Sequence, residues 1–125
     1  MYTLCLKKDF SARHYLIGGD WGDENHPHAH DYKLELRLSA AELDRHEYLV
    51  DLVDVETHIE DAIAGYRDSM LNDTKSFAGR NPSLELFARI LWDDLHSRLE
   101  KYQLSGMVVR LWEHDSAWAQ WSGQI

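Results

Sequence analysis

Asn25-His26-Pro27-His28-Ala29-His30-Asp31-Tyr32-Lys33-Leu34-Glu35-Leu36-Arg37-Leu38 carries the pattern from which the rest of this chain can be placed. From Asp31 it alternates strictly: Tyr32, Leu34, Leu36 and Leu38 are apolar, while Asp31, Lys33, Glu35 and Arg37 are polar. That is the period of a half-buried strand, one face in the core and the other in water. Residues two apart project to the same side, so the same parity carried backwards puts His28 and His30 on the apolar side at the strand's entrance. An imidazole that gives up its hydration needs a partner, and a metal ion bound through a neutral ring nitrogen is one. His26 shares the parity, so the pattern leaves open which two of the three would serve.

Upstream, Tyr2 to Leu6 form a short apolar-rich run, and after Lys7, Lys8 and Asp9 the pattern resumes with Phe10, Ala12 and His14. This predicts a first strand, bent near Asp9, with His14 on its apolar face as the third imidazole. Three neutral nitrogen ligands from two strands leave a fourth position open, the arrangement expected of a catalytic zinc. Between the strands, Gly18 to Pro27 holds three glycines, Trp21 and the acidic pair Asp23 and Glu24, and reads as a loop. Glu24 lies four residues before His28, and loops beside a metal often carry reactive groups. Trp21 is placed to cover a flat ring.

Downstream, Ser39 to Tyr48 reads as a turn region. The apolar positions Leu52, Val55, Ile59, Ala62, Ile63 and Tyr66 have helical spacing, and Gly65 marks the stop. A second helix follows, with Asn81 as cap, Pro82 in the first helical position and Glu85 in the first turn. Its inward stripe is Leu84, Phe87, Ala88, Leu91, Leu95, Leu99 and Tyr102. A strand over Met107 to Trp112, a turn at His114-Asp115-Ser116 and a short strand over Ala117 to Trp121 complete the chain. The order β-β-α-α-β-β predicts an α+β fold, an antiparallel four-stranded sheet with two consecutive helices on one face. Glu113 shares parity with Met107, Val109 and Leu111. It is either a carboxylate at the buried end of that strand, where it needs a bound partner, or an exposed turn residue.

At 125 residues, 44% apolar and 11% aromatic, the chain is long enough for one domain over 1-125 with a real core. A net charge of −9 argues against a nucleic-acid partner, which calls for a basic footprint. A single cysteine, Cys5, forms no intrachain disulfide and fits a reducing interior. No apolar run of membrane-spanning length and no signal-like segment is found, so the expectation is a soluble, cytoplasmic protein without membrane contact. Trp92, Trp112, Trp118 and Trp121 read as core or subunit-contact residues. His46, His58 and His96 read as surface residues, and Asp93, Asp94, Glu100 and Lys101 as a solvated helix face.

Four segments together resemble a known family. Phe10-Ser11-Ala12-Arg13-His14, His28-Ala29-His30-Asp31-Tyr32, Asn81-Pro82-Ser83-Leu84-Glu85 and Trp112-Glu113 are similar, in order and spacing, to the successive motifs of the 6-pyruvoyltetrahydropterin synthase and 6-carboxytetrahydropterin synthase family. The resemblance spans nearly the whole chain. It implies the tunnelling fold and a homo-oligomer, a hexamer built as a dimer of trimers, with sites at subunit boundaries. It also implies zinc held by His14, His28 and His30, and a pterin substrate whose guanidine-like edge is anchored by Glu113. Ser83 and Glu85 would line the same pocket. The implied activity is that of a carbon-oxygen or carbon-carbon lyase on 7,8-dihydroneopterin triphosphate or a related dihydropterin.

Two departures bear on that activity. Many members carry a cysteine in the loop before the paired histidines; here Glu24 stands near that place, as it does in some relatives, and would move the proton. Members also carry an Asp-His pair before a Leu-Asn step, whereas this chain reads Tyr66-Arg67-Asp68-Ser69-Met70-Leu71-Asn72. Either Asp68 takes over proton transfer, or His114 does, or the usual reaction is absent and the chain is a divergent pterin- or purine-binding homologue. For a triphosphate, the nearby cations in sequence are Arg13, Arg67, Lys75 and Arg80.

Overall fold

The alternation that starts at Asp31 extends in both directions and organises the whole sheet. The computed structural model describes residues Met1–Ile125. It contains strands β1 (Tyr2–His14) and β2 (His28–Ala40), helices α1 (Leu52–Ala64) and α2 (Leu84–Leu99), and strands β3 (Gly106–His114) and β4 (Ala117–Gly123). The sheet order is β1-β2-β3-β4, with every pair antiparallel. Both helices lie on one face, as the element order predicts. No helix is long and apolar enough to cross a membrane.

Register places the histidines. β1 and β2 pair over their full length, from Tyr2 opposite Ala40 to His14 opposite His28, with Phe10 opposite Tyr32 and Ala12 opposite His30. β2 and β3 pair only as far as Lys33 opposite Trp112. The β1–β2 hairpin therefore projects past β3, and its projecting end on the helix side carries the three imidazoles. β3 does not follow it, and against β4 it bulges between Trp112 and His114. A bulge re-aims the side chain at the irregularity, which here is Glu113.

The core is one cluster of apolar side chains, drawn from Leu34, Leu36 and Leu38 of β2, Val109 and Leu111 of β3, Val55, Ile59 and Ile63 of α1, and Phe87, Leu91 and Leu95 of α2. Each such side chain contributes about 1.5–3 kcal/mol on burial, so the packed face between sheet and helices fixes the hairpin beneath the histidines.

Several local expectations are corrected. β1 runs unbroken through Lys7, Lys8 and Asp9, because Lys8, on the core parity of an edge strand, extends its amine to Glu60 at 2.7 Å instead of breaking the strand. The cap of α2 is Ser83, whose hydroxyl accepts from Leu86 N at 3.1 Å, and not Asn81. Asn81 is engaged elsewhere, its Oδ1 accepting from Ile17 N at 3.0 Å. α1 is capped by Asp51, which accepts from the amides of Val53 and Asp54. Glu35, on the polar face, is buried, because the Trp112 indole lies against it and donates to its Oε1 at 2.7 Å. Trp118 and Trp121 are exposed at the β4 edge, beneath the guanidinium groups of Arg110 and Arg89. His46 is exposed, but His58 pairs with Asp54 at 3.5 Å and His96 stacks on the buried Trp92. Lys101 is exposed but lies past the end of α2, and it binds Asp54 at 2.7 Å.

Candidate metal centre

His14, His28 and His30 stand ring against ring at the projecting end of the hairpin, with centroids 4.5, 4.7 and 4.7 Å apart. Glu24 joins them, and one potential ligand atom from each of the four residues lies within 4.8 Å of all the others. His26 is outside the cluster and exposed.

The loop that brings Glu24 in is tied to the chain just after β1. Leu16 N donates to Glu24 O at 2.8 Å, and the Asn25 carboxamide donates to Leu16 O and Gly19 O at 3.1 and 3.0 Å. The Asn72 side chain holds Tyr15 by both backbone groups, each at 2.9 Å, and Asn81 holds Ile17. Trp21 is exposed but lies over Gly19, where an added Cβ would come within 2.6 Å of the indole. Glycine at 19 is what lets the ring rest there. Glu24 then projects to 2.7 Å from His28 Nε2.

Hydrogen bonding orients the imidazoles. His28 Nδ1 lies 2.8 Å from the carbonyl oxygen of His26, an acceptor only, so that nitrogen carries the proton and the Nε2 lone pair faces the cluster. His14 Nδ1 bonds the hydroxyl of Tyr32 at 2.9 Å, which likewise turns its Nε2 toward the cluster. The Nε2 atoms of His28 and His30 are buried, and their only polar neighbours are the carboxylate oxygens of Glu24 and Glu113, which do not meet them in hydrogen-bond geometry. Burial without a partner is costly for an imidazole nitrogen, and a metal ion removes that cost. Burial and the neighbouring His30 and His28 lower the His14 pKa to about 4, and burial lowers that of His30 as well. The His14 ring is thus neutral in the folded chain, the state a metal requires, and burial biases His30 the same way. Three converging imidazole nitrogens with one carboxylate form a donor set that fits zinc.

The re-aimed Glu113 reaches the same centre from the β3 side. Its Oε1 is 3.1 Å from His30 Nε2 and 3.9 Å from His14 Nε2, so it is half-buried at the cluster and not an exposed turn residue. The His114 ring lies 5.5 Å from that of His30. A groove of about 1000 Å³ runs over the polar face of β1 and β2, past Lys7, Asp9, Lys33 and Glu35, and ends at Glu113 and His114; none of the three imidazoles lines it. Glu113 therefore borders both the groove and the histidines.

Other predicted residues lie apart within this chain. Asp68 sits exposed in the left-handed region (φ 57°), its amide bonded to Ser11 O along the outer edge of β1, and its carboxylate does not join the cluster. The Ser83 hydroxyl is used in capping, and Glu85 is exposed in the first turn of α2. Arg67 is bound by Glu60 at 2.9 and 3.2 Å, while Arg13, Lys75 and Arg80 are exposed. Sequence reasoning took Tyr32 as core alone. Its signal was a hydroxyl in a row of leucines, since a buried tyrosine usually finds a partner for its oxygen.

The family model described as 6-pyruvoyl tetrahydropterin synthase matches residues 3–124. No curated protein matches the chain significantly. Among solved structures, 6-pyruvoyl tetrahydropterin synthase from Caenorhabditis elegans is 18% identical with a TM-score of 0.84, over 98% of this chain and 96% of that one. The synthase from Plasmodium vivax, solved as a variant whose catalytic glutamate is replaced by alanine, is 13% identical with a TM-score of 0.80, over 99% and 98%. An uncharacterized protein from Wolinella succinogenes is 14% identical with a TM-score of 0.73, over 98% of each chain. At these identities the structures establish the shared fold.

Proposed function

This chain belongs to the 6-pyruvoyl tetrahydropterin synthase family, and from that premise we propose that it is a zinc-dependent pterin synthase or lyase acting on 7,8-dihydroneopterin triphosphate or a related dihydropterin, breaking a carbon-oxygen or carbon-carbon bond. The observation that carries the reading is the convergence of His14, His28 and His30 with Glu24 at one point. Zinc, when bound, supplies Lewis-acid polarisation of substrate oxygens. His14, His28 and His30 hold it, with their Nδ1 contacts setting the ring orientations of His14 and His28. Glu24 Oε2 takes the proton from the substrate side chain, and the catalytic glutamate of the Plasmodium vivax protein supports that role. Glu113, at the end of the groove, accepts from the guanidine-like edge of the pterin. His114 is the nearer of the two candidates for the second proton transfer, being beside His30 where Asp68 is not. Asp68, Ser83 and Glu85 reach a pocket only if a neighbouring subunit brings them there. The exposed outer strands β1 and β4 support assembly into the cytoplasmic homo-hexamer, a dimer of trimers, that the resemblance implies.

A second reading has a specific observation behind it. The Asp-His pair of the family is missing, and Asp68 does not reach the cluster in this chain, which suits a non-catalytic pterin- or purine-binding homologue that keeps zinc. Incubating zinc-loaded protein with dihydroneopterin triphosphate and following pterin products separates the two. Turnover that is lost in Glu24→Gln while zinc is retained supports the enzyme. Ligand binding without turnover in the parent protein selects the homologue, and a protein that takes up no zinc on reconstitution refutes both.

A further inference from the structure

We propose that Tyr32 is a positioning residue for the metal: its phenol oxygen accepts the Nδ1 proton of His14 and keeps the Nε2 lone pair of that imidazole turned toward Glu24, His28 and His30. The inference rests on the zinc reading of the same site.

The ring of Tyr32 is held on two sides. It stacks on Phe10 with centroids 5.3 Å apart and planes at 21°, and meets Phe87 edge-on at 5.3 Å. Tyr32 is 2% exposed, so its hydroxyl occupies one place, 2.9 Å from His14 Nδ1. His14 in turn is 4% exposed and has no solvent to satisfy that nitrogen. A neutral imidazole carries one proton on one of its two nitrogens, and the partner of Nδ1 decides which. His28 has its tautomer set by a backbone carbonyl. His14 has a hydroxyl at that nitrogen, which can donate or accept; in the accepting role proposed here it makes the Nδ1–H tautomer dependent on one removable oxygen. Replacement by phenylalanine keeps the stacked ring and deletes only the acceptor. The Nδ1–H form of His14 then has a buried donor without a partner, and the Nε2–H form, which cannot bind metal through Nε2, gains ground.

Two measurements on the full-length protein test this. Zinc affinity, by competition with a chromophoric chelator, should fall about 10–100-fold in Tyr32→Phe, the usual effect of losing such an outer contact. The packing control Phe10→Leu, which alters the same aromatic stack without touching Nδ1, should leave zinc affinity near that of the parent. In metal-free protein the ring ¹⁵N shifts of His14 should report Nδ1–H in the parent and move toward Nε2–H in Tyr32→Phe, with amide dispersion showing both folded. Unchanged zinc affinity in Tyr32→Phe, an equal loss in Phe10→Leu, or identical His14 ring shifts in parent and Tyr32→Phe would each overturn the proposal. If the parent binds no zinc, the proposed function fails, and the metal-free ring shifts alone then decide the role of Tyr32.

Discussion

Acidifying the metal-free protein should reveal His14 through its cost to stability. Its pKa is lowered from 6.5 to about 4, by burial first and by His30 and His28 next. Between these two values the unfolded chain protonates His14 and the folded chain does not. The unfolded state then binds more protons, so stability rises with pH through this window and falls as pH drops from 6.5 toward 4; below about 4 both states are protonated and the loss is complete. A difference of about 2.5 pK units corresponds to about 3 kcal/mol, and burial of His30 lowers its pKa in the same direction. The assay is urea unfolding at a series of pH values between 7 and 4 in the presence of chelator. His14→Asn, which cannot protonate, removes this contribution while carboxylates and other histidines titrate as before. The parent should lose about 3 kcal/mol more than His14→Asn across the window. Parallel stability curves for the two proteins would refute the claim that His14 is held neutral by its surroundings.

Three further outcomes follow from local geometry. Asn25→Ala deletes the carboxamide that holds Leu16 O, Gly19 O and Trp21 N; unfolding stability should drop by about 1 kcal/mol or more, and turnover should fall with zinc content unchanged, as measured by metal analysis beside product assay. Trp112→Phe removes the indole donor from the buried Glu35 carboxylate, so it should destabilise by about 1–3 kcal/mol, whereas Trp112→Phe combined with Glu35→Leu should recover part of that loss in denaturant titrations. Ser83→Ala should cost about 1 kcal/mol as a lost helix cap, and Asn81→Ser should fail to replace it, since Asn81 does not cap α2.

The clustered histidines were legible because strand parity is a rigid rule: once Leu34, Leu36 and Leu38 face the core, His28, His30 and Tyr32 must face that side too. The unbroken β1 was less legible, since Lys8 on a core position looks like an interruption until α1 is seen to offer Glu60 at its tip. The same limit applies to Asn81. An Asn-Pro step is a sound signal for a helix start, but the side chain was taken by Ile17, a partner 64 positions away. Glu113 was placed on the correct face by parity, yet its contact with His30 depends on the bulge between Trp112 and His114, and nothing in the local residues announces where pairing with β2 ends. The buried state of Glu35 was hidden for a related reason. Alternation assigns it to water, and only the cross-strand indole of Trp112 changes that.

Because β3 stops pairing at Trp112 while β1 and β2 continue to the histidines, Glu24 reaches the cluster from the loop after β1 and Glu113 reaches it from the end of β3. On the β1 side, Glu24 is fixed through a ladder of asparagine contacts to Tyr15, Leu16 and Ile17. On the β3 side, Glu113 is fixed by a bulge and borders the groove. Two carboxylates therefore reach this group of imidazoles, Glu24 at 2.7 Å from His28 and Glu113 at 3.1 Å from His30. They are not equivalent. Glu24 stands half in solvent beside the histidines, whereas Glu113 is more covered and also lines the groove along the sheet. The projecting hairpin and the bulged strand thus hold two carboxylates against one group of imidazoles in different surroundings, one near solvent and one largely covered.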